Sequence, residues 1–185
     1  ATYDGKVMAI PCAVFYAGYI INQTLYDQQG QDWPTVTTTY EEFINLTKAA
    51  ANHTSTTNNG VVGIDGIEHI IHWYPAQLNP DFGWFTLNED GFHLDSDEFA
   101  ETMAEYRKLQ TDITFVYDAL TYEAAKEDSP LDLSVIFPDG DQFANGNVLA
   151  KFDYSWSFGF MQKNINDGTY TWDLNFIGTP VVNGN

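Results

Sequence analysis

Strand-patterned and helix-patterned segments alternate along this chain, and the alternation restricts its fold more than any other feature. Tyr16–Asn22 (YAGYIIN) is rich in β-branched and aromatic residues and reads as a strand. Leu25–Gly30 reads as a short helical turn closed by glycine, and Gln31–Thr37 as a polar loop. Thr39 and Glu42 have the spacing of a capping box. Phe43, Leu46, Ala49 and Ala50 follow at helical intervals, so a helix is expected to about Asn52. His53–Gly60 is a Thr/Asn-rich loop, Val61–Ile64 a short strand and Glu68–Leu78 a helix. Phe82–Phe92 reads as a hairpin or ordered loop. Asp95 or Ser96 caps the clearest helix, whose apolar stripe is Phe99, Met103, Tyr106 and Leu109. From Thr111 to Val135 the pattern is mostly loop, with a short helix near Tyr122–Glu127. Asp139–Asn145 reads as a helical turn ended by Gly146. Val148–Tyr154 is a strand, Ser155–Asn164 a helix, and Asn175–Gly178 a last strand stopped before Pro180. Lys6–Pro11, near the start, is a further strand. This order is that of an α/β protein.

The 185 residues fit a single domain, and 44% hydrophobic residues supply a core. Seven Lys and Arg against 26 Asp and Glu give a net charge of -19. Such a surface repels phosphate backbones and anionic headgroups, which argues against nucleic acid and membrane surfaces as partners. Val7–Ile21, the most apolar stretch, contains Pro11 and is shorter than the roughly 20 residues of a membrane span. The opening at Ala1 reads as a processed or trimmed start. A single cysteine, Cys12, rules out an intrachain disulfide and a thiolate-rich zinc site.

Motifs for catalysis are weak. Asp139 with Asp141, and Glu41 with Glu42, are close in sequence. Glycoside hydrolysis, however, needs two carboxylates across a cleft, and in so acidic a chain adjacent pairs arise by chance. His69 and His72 stand three apart beside Glu68, without H-E-x-x-H or an evident third ligand. Asn88–Asp97 lacks the terminal Glu of a calcium loop. Phosphate-binding glycine motifs and G-x-S-x-G are absent from the sequence. No cofactor, metal or catalytic residue is expected. The 5 Trp, 11 Tyr and 13 Phe, by contrast, suit a neutral sugar, which stacks its C–H faces on aromatic rings in a cleft with a few polar groups.

Four segments carry a resemblance. They are Asp4-Gly5-Lys6-Val7-Met8-Ala9-Ile10-Pro11 with Ile20-Ile21-Asn22 following; Thr39-Tyr40-Glu41-Glu42-Phe43; Phe143-Ala144-Asn145-Gly146-Asn147-Val148-Leu149-Ala150; and Ser155-Trp156 with Phe176-Ile177-Gly178-Thr179-Pro180. In this order they resemble segments of the extracellular solute-binding proteins of bacterial ABC sugar importers. Asn147 stands where that family commonly has Lys. The resemblance implies one lobe of a type II periplasmic-binding-protein fold, a mixed sheet flanked by helices. Residues 1–185 would form the second lobe alone, starting near the strand that leaves the partner lobe and ending near the one that returns. It also implies a non-enzymatic role: binding a mono- or oligosaccharide for delivery to a membrane permease. The parent protein would be extracellular or periplasmic, anchored at the cell surface as a lipoprotein. The cleft would be lined by Phe15, Tyr16, Glu68, His69, Trp73, Asp153, Ser155 and Trp156, with Trp156 foremost. Two alternatives are a carbohydrate-processing enzyme using paired carboxylates and an all-β carbohydrate-recognition domain.

Overall fold

The structure is a computed structural model that describes residues 2–8, 13–52, 60–112, 115–125 and 132–182. Its centre is a four-stranded mixed sheet in the order β4-β5-β3-β6, made of β3 (Ala17–Asn22), β4 (Val62–Asp65), β5 (Val148–Tyr154) and β6 (Leu174–Gly178). Strand β3 pairs antiparallel with β5 and with β6, and β4 lies parallel to β5. Strands β4, β5 and β6 therefore point the same way. Their C-terminal ends share one edge of the sheet with the N-terminal end of β3.

Both faces of this sheet are covered. Tyr19 pairs with Phe152 and Ile21 with Ala150, and all four belong to one core. Helices α2 (Tyr40–Ala50), α3 (Ile70–Leu78) and α4 (Asp97–Gln110) bury Phe43, Ile44, Ile70, Trp73, Tyr74 and Leu109 in that core. Ile20 faces the other way, into a second core with Val148, Phe143, Trp172 and Met161 of α7 (Phe158–Asn166). Two-sided burial explains why β3 reads as a nearly unbroken apolar run rather than an alternating one. Helix α5 (Tyr117–Ala124) closes the β4 margin, with Ala119 in the first core and Leu120 in the second.

Local signals explain the helix starts. Thr39 accepts from the Glu42 N–H, and Glu42 Oε2 accepts from the Thr39 N–H at 2.9 Å, which closes the expected capping box. The Thr39 N–H and, at 2.9 Å, the Thr39 hydroxyl both donate to Glu42 Oε2 and hold that carboxyl below its ordinary value. Ser96, rather than Asp95, caps α4 through the Phe99 N–H. Asn22 ends β3 and caps α1 (Gln23–Gln28), its Oδ1 accepting from the Leu25 N–H at 3.0 Å.

Several expectations need correction. Of the strand expected at Lys6–Pro11, the described part shows Lys6–Val7 (β2) paired with Thr2–Tyr3 (β1) in a separate ribbon and Met8 outside it. Residues 9–12, including Cys12, and the loop at 53–59 lie outside the described residues. The helix expected at Tyr122–Glu127 starts earlier, at Tyr117. Val116 gives it no side-chain cap, so the sequence carries no start signal. Helix α6 (Leu133–Ile136) falls in a stretch read as loop. The helical turn expected before Gly146 is present as turns at residues 142–146, with the Asn145 N–H donating to the Asp141 carbonyl at 2.9 Å. Ser155–Ser157 and Ile67–His69 are 3-10 turns that lead into α7 and α3. The helices exclude the all-β alternative.

Strands β3 and β6 approach closely at the edge described above. A Cβ on Gly18 would run into the Gly178 backbone, and the β3–β6 register shifts next to it, between Tyr19 and Ile20. Gly18→Ala is expected to destabilise the chain by about 1–3 kcal/mol, the cost of overpacking. Thr39→Ala should cost about 1 kcal/mol, the usual loss of an N-cap. Urea unfolding of the two variants checks both values.

Candidate functional site

The shared sheet edge collects most of the residues singled out from the sequence. Beyond the last β3–β5 pair, Ala17 with Tyr154, the two chains stay bonded. The Ser155 N–H donates to the Tyr16 carbonyl at 2.8 Å, and the Tyr16 N–H donates to Ser155 Oγ at 3.0 Å. This double link fixes Phe15–Tyr16 beside Ser155–Trp156, although 139 residues separate Tyr16 from Ser155. The three rings are left in solvent: Phe15 is 58% exposed, Tyr16 70% and Trp156 54%. Large exposed aromatics grouped at one edge are unlike the scattered apolar residues of an ordinary surface.

The β4 end adds the second group. After Asp65, Gly66 takes a left-handed conformation (φ 83°) that turns the chain into the 3-10 turn carrying Glu68 and His69. The His69 ring stacks on Phe152 of β5, with centroids 4.6 Å apart, and meets Tyr154 edge-on at 5.8 Å. His69 Nδ1 and His72 Nδ1 lie 3.4 Å apart within hydrogen-bond geometry, and Glu68 Oε1 lies 3.5 Å from His69 Nε2. Burial, followed by the neighbouring His69, holds the His72 ring below its ordinary value, against the pull of Glu68. His72 in turn contacts Trp84 at 5.5 Å and Phe85 at 5.6 Å between centroids. A continuous row of rings thus runs from Tyr154 through His69 and His72 to Trp84 and Phe85, and Phe85 is 77% exposed.

Two of the singled-out residues differ in setting. Asp153 is half-buried on β5 opposite Gly18, and its Oδ1 accepts from the Tyr154 N–H at 2.7 Å. Trp73 is 8% exposed and packs in the core against Tyr19, Tyr40 and Tyr74. Its place was readable, because Ile70, Trp73 and Tyr74 share a helix face at i, i+3 and i+4. Burial is also the main cause that pushes the Tyr19 and Tyr40 hydroxyls far above their ordinary values, and for Tyr40 the Glu105 carboxylate adds to it. Trp84, Phe85 and Tyr154 were not anticipated as edge residues. Trp84 and Phe85 sit in an irregular segment, where no periodicity announces which way a ring points.

One acid of each pair is engaged in local structure. Glu42 belongs to the capping box, and its carboxyl is shifted down, opposite to what a general acid needs. Asp141 Oδ1 accepts from the Phe143 and Ala144 N–H groups at 2.9 and 3.1 Å, in the turn before β5. Among the described residues, no group of three or more His, Cys, Asp or Glu could hold a metal ion. Nor, among them, is any helix long and apolar enough to cross a membrane.

No protein-family model and no curated protein matches the sequence. Solved structures do match in fold. An ABC substrate-binding protein from Listeria monocytogenes in complex with cycloalternan matches with a TM-score of 0.63 and 21% identity, over 96% of this chain and 41% of that one. A sugar transporter from Rhizobium etli in an open conformation matches with a TM-score of 0.65 and 17% identity, over 97% and 42%. A maltose/maltodextrin-binding domain from Bdellovibrio bacteriovorus bound to maltotriose matches with a TM-score of 0.57 and 18% identity, over 98% and 41%. The chain thus spans about two-fifths of the length of the structures it matches. It has the fold of one lobe of a periplasmic-binding protein, a mixed sheet flanked by helices.

The different burial of the two tryptophans sets an expectation. Trp73→Ala should destabilise the chain by about 3–5 kcal/mol, as for a large core residue. Trp156→Ala should change stability by no more than about 0.5 kcal/mol. Thermal and urea unfolding of both variants tests the assignment.

Proposed function

We propose that this chain is the second lobe of a two-lobed carbohydrate-binding protein that delivers its ligand to an ABC importer. The observation that carries the reading is the cluster of exposed rings, Phe15, Tyr16 and Trp156, at the strand ends of the sheet. In open α/β sheets, ligands bind in the crevice outside the carboxyl ends of the strands. Here three C-terminal strand ends meet at that edge. Trp156, Tyr16 and Phe15 would stack on the sugar's C–H faces. Glu68, His69, Asp153 and Ser155 would meet its hydroxyls, and Trp73 would support the wall from beneath. The names of the structural neighbours support a sugar, since cycloalternan, maltotriose and chitin oligosaccharide are among their ligands.

The mechanism follows from having two lobes. Ligand held on this edge is covered when the partner lobe closes, and closure is favoured only by the contacts that the ligand adds in the closed form. The parent protein would act outside the cytoplasmic membrane and hand the sugar to a permease. The strong negative charge suits a neutral ligand.

Half a cleft binds weakly. Titration calorimetry of this chain with neutral oligosaccharides should give affinities in the millimolar range, equivalent to about -4 kcal/mol. Trp156→Ala should lower the affinity several-fold further. Submicromolar affinity for the chain alone would contradict the half-cleft reading. Chromatography should return the sugar intact. Cleavage that disappears on changing one carboxylate would establish the enzyme reading instead.

A further inference from the structure

His69, in the 3-10 turn, and His72, in the first turn of α3, hold their Nδ1 atoms 3.4 Å apart in a half-buried setting. For zinc–nitrogen bonds of about 2.05 Å, two ligand nitrogens at this spacing subtend roughly 110° at the metal, the tetrahedral value. The outer nitrogen of His69 is occupied differently. Its Nε2 faces Glu68 Oε1 at 3.5 Å. That is an ion-pair distance and not a hydrogen bond, but the negative carboxylate beside Nε2 favours the tautomer with the proton on that atom, which leaves the Nδ1 lone pair for a ligand. The His69 ring is further restrained by its stacking on Phe152, so the donor atom is oriented before any ligand arrives.

We infer that His69 and His72 form a two-histidine site for a borderline divalent cation, with zinc, nickel or copper as the matching class. Imidazole nitrogen selects these ions over magnesium and calcium, which require oxygen ligands. Two protein ligands leave the remaining coordination positions to water, and His69 and His72 are each only half-buried, so solvent reaches the pair. Glu68 acts through His69 as a positioning residue and is not itself a ligand. The net charge of -19 raises the local concentration of cations around the molecule. The pair shares His69 and its neighbour Glu68 with the proposed sugar edge, but the inference does not depend on that reading, because it rests on the placement of the two nitrogens and of Glu68.

The test is a titration of the whole chain with zinc chloride at neutral pH, followed by calorimetry and by NMR of the histidine ring nitrogens. One zinc per chain is expected, with the His69 and His72 ring signals moving together and that of His93 unmoved. His72→Asn should weaken binding at least tenfold. His93→Asn, which removes a ring bonded to Asn88 instead, should leave it unchanged. Glu68→Gln should weaken it by less than His72→Asn does, since Glu68 acts only through its charge beside His69. Magnesium at the same concentration should move neither ring. Circular dichroism confirms that each variant is folded. If His72→Asn fails to fold, the ring shifts of the unmodified chain decide. The inference is overturned if zinc at 1 mM leaves both rings unmoved. It is equally overturned if zinc binds with the same affinity to the His72→Asn variant, which would assign the ion to surface carboxylates.

Discussion

The antiparallel pairing of β3 with β5 is the interaction on which the rest of this molecule depends. It joins a segment near the start of the chain to one near its end, from Ala17 with Tyr154 to Ile21 with Ala150. The other two strands of the central sheet are each attached to one of these two: β6 to β3, and β4 to β5. Both cores are built on it, since Tyr19, Ile21, Ala150 and Phe152 face one way and Ile20 the other. Burial of apolar side chains on both faces supplies the driving force, and the paired backbone leaves few polar groups unmatched in a dry interior. The same pairing continues one step past the strands, through the two Tyr16–Ser155 hydrogen bonds, and so places the exposed rings. The interaction that stabilises the sheet also composes the candidate site.

The chain direction of the strands decides where chemistry can gather. Because β4, β5 and β6 run together, one edge receives three loop starts and the segment entering β3. Backbone turns there are tight. Gly66 has a positive φ, and Gly18 lets the β6 backbone pass close by. Rings that leave such an edge have no core to enter, and Phe15, Tyr16, Phe85 and Trp156 remain exposed. The opposite edge has a different character. Around Asn22, Asn147 and Trp172 lies a depression of about 330 Å³ lined mainly by amides and threonines. There the Asn22 and Asn147 side chains bond to Gly146 and Gln142. Their polar groups are already matched inside the protein, whereas the aromatic faces at the first edge are open.

Much of this was legible in the sequence wherever a local signal carried the structure. The Thr39–Glu42 capping box, the Ser96 cap and the apolar runs of β3 and β5 set their elements to within a residue or two. Signals failed where tertiary packing decides. Helix α5 has no side-chain cap, and α6 is four residues long, so neither announces itself. At the edge, Phe15, Tyr16, Ser155 and Trp156 were grouped by their resemblance to a family, and the β3–β5 register gives that grouping a physical cause. Trp73, grouped with them by the same resemblance, lies in the core. Its indole belongs to the α3 face that packs on the sheet, as the spacing with Ile70 and Tyr74 indicates. Trp84 and Phe85 show the converse, since only the fold brings them to His72.

The central proposal is that this sheet edge is the face presented to a sugar. The direct measurement is NMR mapping of the chain during titration with neutral oligosaccharides, following backbone amides and the five tryptophan indoles. The account predicts shifts at Phe15–Tyr16, at Glu68–His69 and at Ser155–Trp156, with the Trp156 indole moving and the Trp172 indole at the far edge still. Shifts gathered instead around Asn22, Asn147 and Trp172 would contradict it.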